Sequence, residues 1–300
     1  MEYINSPFPY AGCKYDLLEH LDRAIPEGER LFDVFGGSGA VGVNLSYRFK
    51  YVCVTDILRD LVMMHRAFQS DEPDAIIEKL RELSSKEPEK YAELRNAYNG
   101  LEKHDPERGY RLYGLILSCT NNLMRFNLKG GFNQTCGKRQ LTAPKEKEIR
   151  AWCERLRSDA GKGVMFGYGP FDRVLDSMSQ RVPSEGTVVY LDPPYSNTEA
   201  GYNSTWTVND DDKLSAFMLS TRTTSMSFPA AARTARLPVS SRRSRPAASM
   251  TPSRCRMCTR PRRRARARTR SNSFCAAKTA TVSDNFVYFG YERLLCTRSV

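Results

Sequence analysis

The stretch Leu31-Phe32-Asp33-Val34-Phe35-Gly36-Gly37-Ser38-Gly39-Ala40-Val41-Gly42 joins a short apolar run to a cluster of glycines and then to a helix-forming run. The apolar run is typical of a buried parallel strand, and the glycines would let a nucleotide-like ligand approach the backbone. No lysine follows the glycines as in a phosphate loop, and the G-x-G-x-x-G dinucleotide pattern is absent. The stretch therefore favours the start of an α/β fold with a ligand site, although a plain tight turn stays open.

A second strand follows at Tyr51-Val52-Cys53-Val54-Thr55-Asp56, after a helix predicted between residues 40 and 49. This alternation predicts a βαβ unit. Asp56 ends the second strand 23 residues after Asp33, where an acid is well placed for the hydroxyl groups of a ribose. The acid strengthens the interpretation of the glycine turn as a ligand site.

The tetrapeptide Asp192-Pro193-Pro194-Tyr195 follows a third β-branched run at residues 187–191. Two prolines stiffen the turn and remove two backbone donors, which leaves carbonyl groups and one carboxylate as acceptors. Acceptors of this kind suit an exocyclic adenine amine, whose lone pair is delocalised and poorly nucleophilic, and Tyr195 could stack on a base swung out of the helix. An ordinary turn that ends a strand is the alternative.

Basic, amide and aromatic side chains alternate through the glycine-rich residues 121–139. We predict a loop at residues 124–142. Arginine and lysine suit phosphates and guanine edges, whereas asparagine suits adenine edges. The segment is either a DNA-contacting loop or a polar surface loop.

The net charge of +12 does not describe the whole chain, because residues 219–283 hold 15 Arg, one Lys and no acid. Outside this segment, acidic residues outnumber basic ones by four. The segment shows no hydrophobic period and cannot bury enough apolar surface to order itself. It is either a basic disordered tail or a frameshifted stretch, and we favour the frameshift because it interrupts a domain that still needs strands.

Nine scattered cysteines indicate reduced thiols, and Cys255-x-x-Cys258 alone lacks the four ligands of a structural zinc site. No run of 18 apolar residues and no signal-peptide pattern is present. We therefore expect a cytoplasmic protein without a metal or a membrane span.

Four elements together resemble one family, the Dam-type or D12-class adenine-N6 DNA methyltransferases, in a phage- or prophage-like form. Their order matches: Pro7-Phe8-Pro9-Tyr10-Ala11-Gly12-Cys13-Lys14, the glycine turn with Asp56, the 125–137 segment, and Asp192 to Tyr195. The resemblance covers about residues 5–215. Cys13 stands where that family usually has glycine, and the apolar strand expected after Asp-Pro-Pro-Tyr is not found at 219–283.

The resemblance implies a Rossmann-like methyltransferase sheet with a helical target-recognition insertion, and S-adenosylmethionine as cofactor. The residues that it assigns to the cofactor are Tyr10, Lys14, Phe35, Gly37, Gly39, Asp56 and Asp192. It assigns the target adenine to Asp192, Pro193, Pro194 and Tyr195, and DNA contacts to Arg125, Asn127, Lys138 and Arg139. The expected reaction is direct methyl transfer to adenine N6 in duplex DNA by a monomer, without a covalent intermediate.

The resemblance also implies a division of the chain. Residues 1–64 and 150–218 would form a discontinuous catalytic domain around a recognition domain at 65–149, followed by the 219–283 segment and a strand-like end at 284–300. Other possibilities stay open: transfer to RNA, to a protein amide or to cytosine N4, or a catalytically dead DNA-binding remnant. The recognition sequence and the biological role (restriction, repair marking or phage protection) also stay open.

Overall fold

The computed structural model describes residues 2–10, 12–181, 185–194, 206–222, 279–283 and 286–290. Within these ranges the chain forms one mixed sheet with helices on both faces. The strands are β1 Arg30–Asp33, β2 Tyr51–Asp56, β3 Val164–Tyr168, β4 Thr187–Leu191, β5 Thr279–Ser283 and β6 Phe286–Gly290. The helices are α1 Leu18–Ala24, α2 Ala40–Asn44, α3 Arg59–Ser70, α4 Pro73–Leu83, α5 Pro88–Gly100, α6 Arg108–Ser118, α7 Ala143–Arg157, α8 Phe171–Arg181 and α9 Val208–Arg222.

The strand order is β3-β2-β1-β4-β6-β5, and every neighbouring pair is parallel except β5 with β6. Leu31 of β1 lies between Val52 of β2 and Val188 of β4, so the three strands are in register. The chain runs from β1 outward to β3 and then returns to place β4 on the other side of β1. This reversal creates a switch point between β1 and β4, where open α/β sheets bind their ligands. The predicted fold class is confirmed.

The sheet is buried on one face by α1, α2, α3 and α7, in a core that includes Leu31, Val52, Phe68 and Trp152. A smaller cluster on the other face contains Val189 of β4, Leu175 of α8 and Leu214 of α9. Apolar side chains are therefore buried on both faces of the central strands, as expected for a parallel sheet.

The helical insertion has a core of its own around α6, whose residues from Gly109 to Ser118 are all buried except Arg111. Prolines in the first turn start α4, α5 and α7, where a missing backbone donor costs nothing. Asp60 of α3 ties the insertion to the sheet domain: it accepts from Tyr98 Oη at 2.7 Å and from Arg108 Nε at 2.9 Å. Helix α7 crosses the predicted domain boundary at 149/150, and β5 occupies the last residues of the 219–283 segment.

The predicted loop at 124–142 contains a short β-hairpin instead. Phe126 pairs with Phe132 in an antiparallel bridge, and Asn127 and Gly131 are joined by a backbone hydrogen bond of 2.8 Å. The hairpin forms because Gly130 adopts a left-handed conformation (φ +80°) that closes the turn. Both phenylalanine rings pack onto the insertion core, which gives this polar segment a fixed place.

Candidate active site

The glycine turn after β1 is closed by backbone hydrogen bonds. Gly36 N–H donates to the Thr55 carbonyl at 2.8 Å, and Gly39 N–H donates to the Gly36 carbonyl at 2.8 Å. Gly37 and Gly39 have φ values of +49° and +73°, which side chains other than glycine rarely adopt. A Cβ atom at Gly37 would lie 2.8 Å from Cε1 of Tyr10. The structure thus brings Tyr10, Gly37 and Gly39 together, as the sequence predicts.

Asp56 lies at the carboxyl end of β2 and faces the same turn. One of its carboxylate oxygens accepts from Gly37 N–H at 3.0 Å and the other from Leu58 N–H at 2.8 Å. Burial raises the pKa of Asp56, against the opposing effect of these backbone donors. The N–H of Ile57 adds to these backbone donors, and a carboxylate has about four acceptor positions, so acceptor capacity remains for a ligand.

Lys14 and Asp192 form an ion pair across the site, and each side chain is only 11% exposed. Lys14 Nζ also donates to the Gly12 carbonyl at 2.9 Å. Asp192 follows β4 directly, and Pro193 behind it is buried. The ion pair therefore joins the N-terminal segment to the strand end that carries the predicted adenine site. Tyr195 lies outside the described residues.

Cys13, the departure from the family pattern, lies beside the glycine turn: its sulfur accepts from Ser38 Oγ at 3.4 Å. Ser6 Oγ donates to the Ser38 carbonyl at 2.6 Å, so two residues of the N-terminal segment hold the same turn. The thiol contacts a side chain of the turn in the place where a smaller residue was expected.

Asp33 was quoted in the opening motif but not predicted as a site residue. It ends β1, it is 1% exposed, and Gly42 N–H donates to one of its oxygens at 3.1 Å. The other oxygen has no hydrogen-bond partner among the described residues. Burial raises the pKa of Asp33 to about 7, and the nearby charges of Asp192 and Asp56 add to the effect. Three carboxyl groups thus share one edge of the sheet with a single lysine.

Phe35 belongs to an aromatic cluster beside the turn. Its ring lies 5.6 Å from both Phe171 of α8 and Trp206, and the latter two are 5.1 Å apart. Phe171 and Trp206 were not predicted as site residues, because both lie outside the motifs and far from residue 35 in the chain. The cluster forms an apolar wall next to the polar edge of β1.

The predicted DNA-contacting residues lie on the hairpin and on the irregular segment that follows it. Arg125 donates to the Asn133 side-chain oxygen and carbonyl, both at 3.0 Å. Asn127 Oδ1 accepts from the N–H groups of Lys129 and Gly131 at 2.9 and 3.0 Å, so this oxygen stabilises the turn.

Further along the same segment, Arg139 donates to Asn122 Oδ1 at 3.2 Å, and Lys138 is exposed. No acid occurs between residues 108 and 145, whereas all four predicted DNA-contacting residues lie there. The four residues therefore lie in a stretch of sequence without an acidic side chain.

Among the described residues, no group of three or more His, Cys, Asp or Glu side chains could hold a metal ion. No helix in the part of the chain that the structure describes is both long and apolar enough to span a membrane.

The fold and the site define a class. A glycine turn after β1, an acid after β2 and an acid followed by two prolines after β4 meet at the switch point of a doubly wound sheet, where α/β enzymes hold nucleoside-like ligands. The chain belongs to the D12 class N6 adenine-specific DNA methyltransferase family, whose family model matches residues 10–232.

Curated proteins agree with this assignment. The chain is 31% identical to the DNA N-6-adenine-methyltransferase of Escherichia phage P1 over 207 residues, which are 67% of this chain and 26% of that protein. It is 31% identical to the DNA adenine methylase of Salmonella typhi over 201 residues, 65% of this chain and 66% of that protein. The Retron Ec67 DNA adenine methylase of Escherichia coli is 30% identical over 217 residues, 71% of each chain. The chain thus spans about a quarter of the phage protein and just under two thirds of the Salmonella protein.

Proposed function

We propose that this chain transfers a methyl group from S-adenosylmethionine to the N6 amine of adenine in duplex DNA. The observation that carries the proposal is the meeting of Asp56, Asp192 and the Gly36–Gly39 turn at the switch point of the sheet. The names of the relatives, which are DNA adenine methylases, support the choice of substrate.

The residues present fit S-adenosylmethionine. Gly37 and Gly39 give the turn its left-handed backbone at two positions where a Cβ would collide with Tyr10 or His65, and such a tight glycine turn lets a nucleoside-like ligand approach the backbone. Asp56 keeps acceptor positions for ribose hydroxyls. Two carboxylates, Asp56 and Asp192, share the pocket with Lys14, so the pocket favours a ligand with positive charge. Bound S-adenosylmethionine supplies an electrophilic methyl group on a sulfonium centre.

Asp192 and the following prolines would act on the adenine amine. The carboxylate and the backbone carbonyls accept hydrogen bonds from the two N–H bonds, which favours a more tetrahedral and more nucleophilic nitrogen. Pro193 and Pro194 have no N–H to compete for these acceptors and keep the turn rigid. Lys14 forms an ion pair with the Asp192 carboxylate and so orients it beside the pocket. Holding the amine in line with the methyl group contributes on the order of 7–11 kcal/mol in well-oriented systems.

The hairpin at residues 125–133 would bind the duplex. A two-stranded β-ribbon fits the major groove of DNA, and this ribbon carries Arg125 and Lys129 with no acid near it in sequence. Its turn is fixed by the Asn127 side chain, and Asn99 of α5 holds Phe132 through two hydrogen bonds of 2.8 and 3.0 Å. A cationic ribbon that is already ordered needs little further ordering on binding.

The test is transfer of labelled methyl groups to duplex DNA and to RNA by the wild-type chain, Asp192→Asn and Asp159→Asn. Asp159 is the matched control, since its side chain is 94% exposed and pairs only with Lys162 among the described residues. We expect labelled DNA with the wild type and the control, and at least a hundredfold loss with Asp192→Asn, on the order of the loss of one transition-state acceptor. Full activity of Asp192→Asn, or transfer to RNA alone, would contradict the proposal.

A further inference from the structure

His65 of α3 lies beneath the Gly36–Gly39 turn, and none of the residue roles described above includes it. Its side chain is 1% exposed. The ring stacks on Phe166 of β3 with centroids 4.7 Å apart and planes 5° from parallel, and it tilts against Phe8 at 4.5 Å. Burial lowers the pKa of His65 to about 4, so the imidazole is neutral at physiological pH.

The hydrogen bond of His65 fixes its tautomer. Nε2 lies 2.9 Å from the Gly37 carbonyl oxygen, and a carbonyl can only accept, so Nε2 carries the hydrogen. Nδ1 is buried and has no hydrogen-bond partner among the described residues. A single hydrogen bond and two aromatic contacts therefore set the position of the ring.

Gly37 is held from both sides. Its N–H donates to Asp56 at 3.0 Å while its carbonyl accepts from His65, and its φ is +49°. The imidazole also lies under Gly39, where a Cβ would come within 3.0 Å of His65 Cε1. The same ring thus supports both left-handed glycines of the turn.

His65 also links the turn to the N-terminal segment. Phe8 contacts the imidazole and the ring of Tyr113 at 4.9 Å, and Tyr113 Oη donates to the Pro7 carbonyl at 2.7 Å. Tyr10, two residues further along, packs against Gly37. A shift of the imidazole would therefore move two walls of the pocket together.

We propose that His65 is a positioning residue for the methyl donor: its Nε2–H holds the Gly37 carbonyl and so sets the shape of the turn against which the donor lies. The inference rests on the proposed function. It requires a donor at the Nε2 position and does not require a titratable ring, so a neutral amide in the same place can substitute.

Three variants separate the hydrogen bond from the packing. His65→Gln can place its amide nitrogen near the position of Nε2, His65→Asn places it nearer the position of Nδ1, and His65→Phe keeps the aromatic packing without a donor. Affinity for S-adenosylmethionine is measured by calorimetry on the full chain. We expect His65→Gln to bind within about threefold of wild type and the other two about tenfold or more weaker, as for the loss of one buried hydrogen bond.

Two further readouts separate positioning from general stability. Duplex DNA affinity should be unchanged in all three variants, and the KM for S-adenosylmethionine should rise in His65→Asn and His65→Phe while the KM for DNA does not. NMR of ¹⁵N-labelled wild type should show the neutral Nε2–H tautomer of His65 at neutral pH. If His65→Phe does not fold, the comparison of His65→Gln with His65→Asn and the tautomer seen by NMR still test whether the Nε2–H hydrogen bond positions the turn.

Three results would each contradict the positioning role of His65 without contradicting the proposed function. They are wild-type affinity for S-adenosylmethionine in His65→Phe, equally weakened affinity in His65→Gln and His65→Asn, or an Nδ1–H tautomer of His65. A wild-type chain that binds no S-adenosylmethionine would contradict the proposed function and the inference with it.

Discussion

Asp33→Asn should change how the stability of the protein depends on pH. Asp33 is 1% exposed, and burial raises its pKa to about 7, whereas an unfolded aspartate titrates near its ordinary value of 3.8. The folded chain therefore keeps a proton that the unfolded chain loses. The stabilisation is fully present below the unfolded pKa and is lost as the pH rises through the folded pKa.

The size of the effect follows from the two pKa values. Each unit between them is worth about 1.4 kcal/mol, so wild type loses on the order of 4 kcal/mol between about pH 4 and pH 7 from this residue. Asparagine is similar in shape, keeps an oxygen for the Gly42 N–H and does not ionise. The Asp33→Asn chain should lack this loss.

Urea unfolding of both proteins at about pH 5 and about pH 8 measures the effect. The stability of Asp33→Asn relative to wild type should rise by about 3 kcal/mol from the lower to the higher pH, because two of the three pKa units lie in that interval. Asp159→Asn, at an exposed site, serves as the control and should show no such shift. A difference between Asp33→Asn and wild type that is the same at both pH values would refute the reasoning.

Other changes test the remaining parts of the site. Lys14→Met removes the Lys14–Asp192 ion pair at a poorly exposed site and should lower the free energy of unfolding by up to about 3 kcal/mol in urea titrations; unchanged stability would argue against a structural ion pair. Gly37→Ala should cost about 1–2 kcal/mol for its left-handed backbone and weaken binding of S-adenosylmethionine in calorimetry, because its Cβ meets Tyr10; binding equal to wild type would contradict the packing described. Asn127→Ala removes both side-chain bonds of the hairpin turn and should weaken duplex DNA binding in anisotropy titrations about tenfold, whereas the same substitution at the exposed Asn96 should not.

The parts of the fold that the sequence predicts well are those with a strong local pattern. The residue limits of β2 and β4 agree with the predicted runs at 51–56 and 187–191, because their β-branched residues end at an acid or at Asp-Pro. Helix α8 was not predicted, although Phe171, Val174, Leu175 and Met178 recur at the helical spacing i, i+3, i+4 and i+7, a signal that was available in the sequence. Its place is determined by packing onto the sheet.

The hairpin was predicted as a loop because composition alone cannot show pairing. Its backbone bonds depend on the left-handed Gly130 and on the Asn127 side chain, and its position depends on Phe126 and Phe132 packing against helices of the insertion. The packing of Phe126 and Phe132 on these helices joins residues that are distant in sequence, which composition cannot show.

The motif residues Lys14, Asp56 and Asp192 were predicted individually, and the structure brings them to one edge of the sheet. The unpartnered oxygen of Asp33 and the orientation of His65 could not be predicted. Both follow from burial between elements, and no spacing in the sequence encodes the surroundings of a single side chain.

Identification of the methylated nucleoside tests whether this chain transfers a methyl group to adenine N6. Duplex DNA is incubated with the full chain and isotope-labelled S-adenosylmethionine, digested to nucleosides and analysed by mass spectrometry. We expect label in N6-methyladenine with wild type and none above background with Asp192→Asn. Label in N4-methylcytosine, or no labelled nucleoside from a wild-type chain that binds both the methyl donor and DNA, would contradict it.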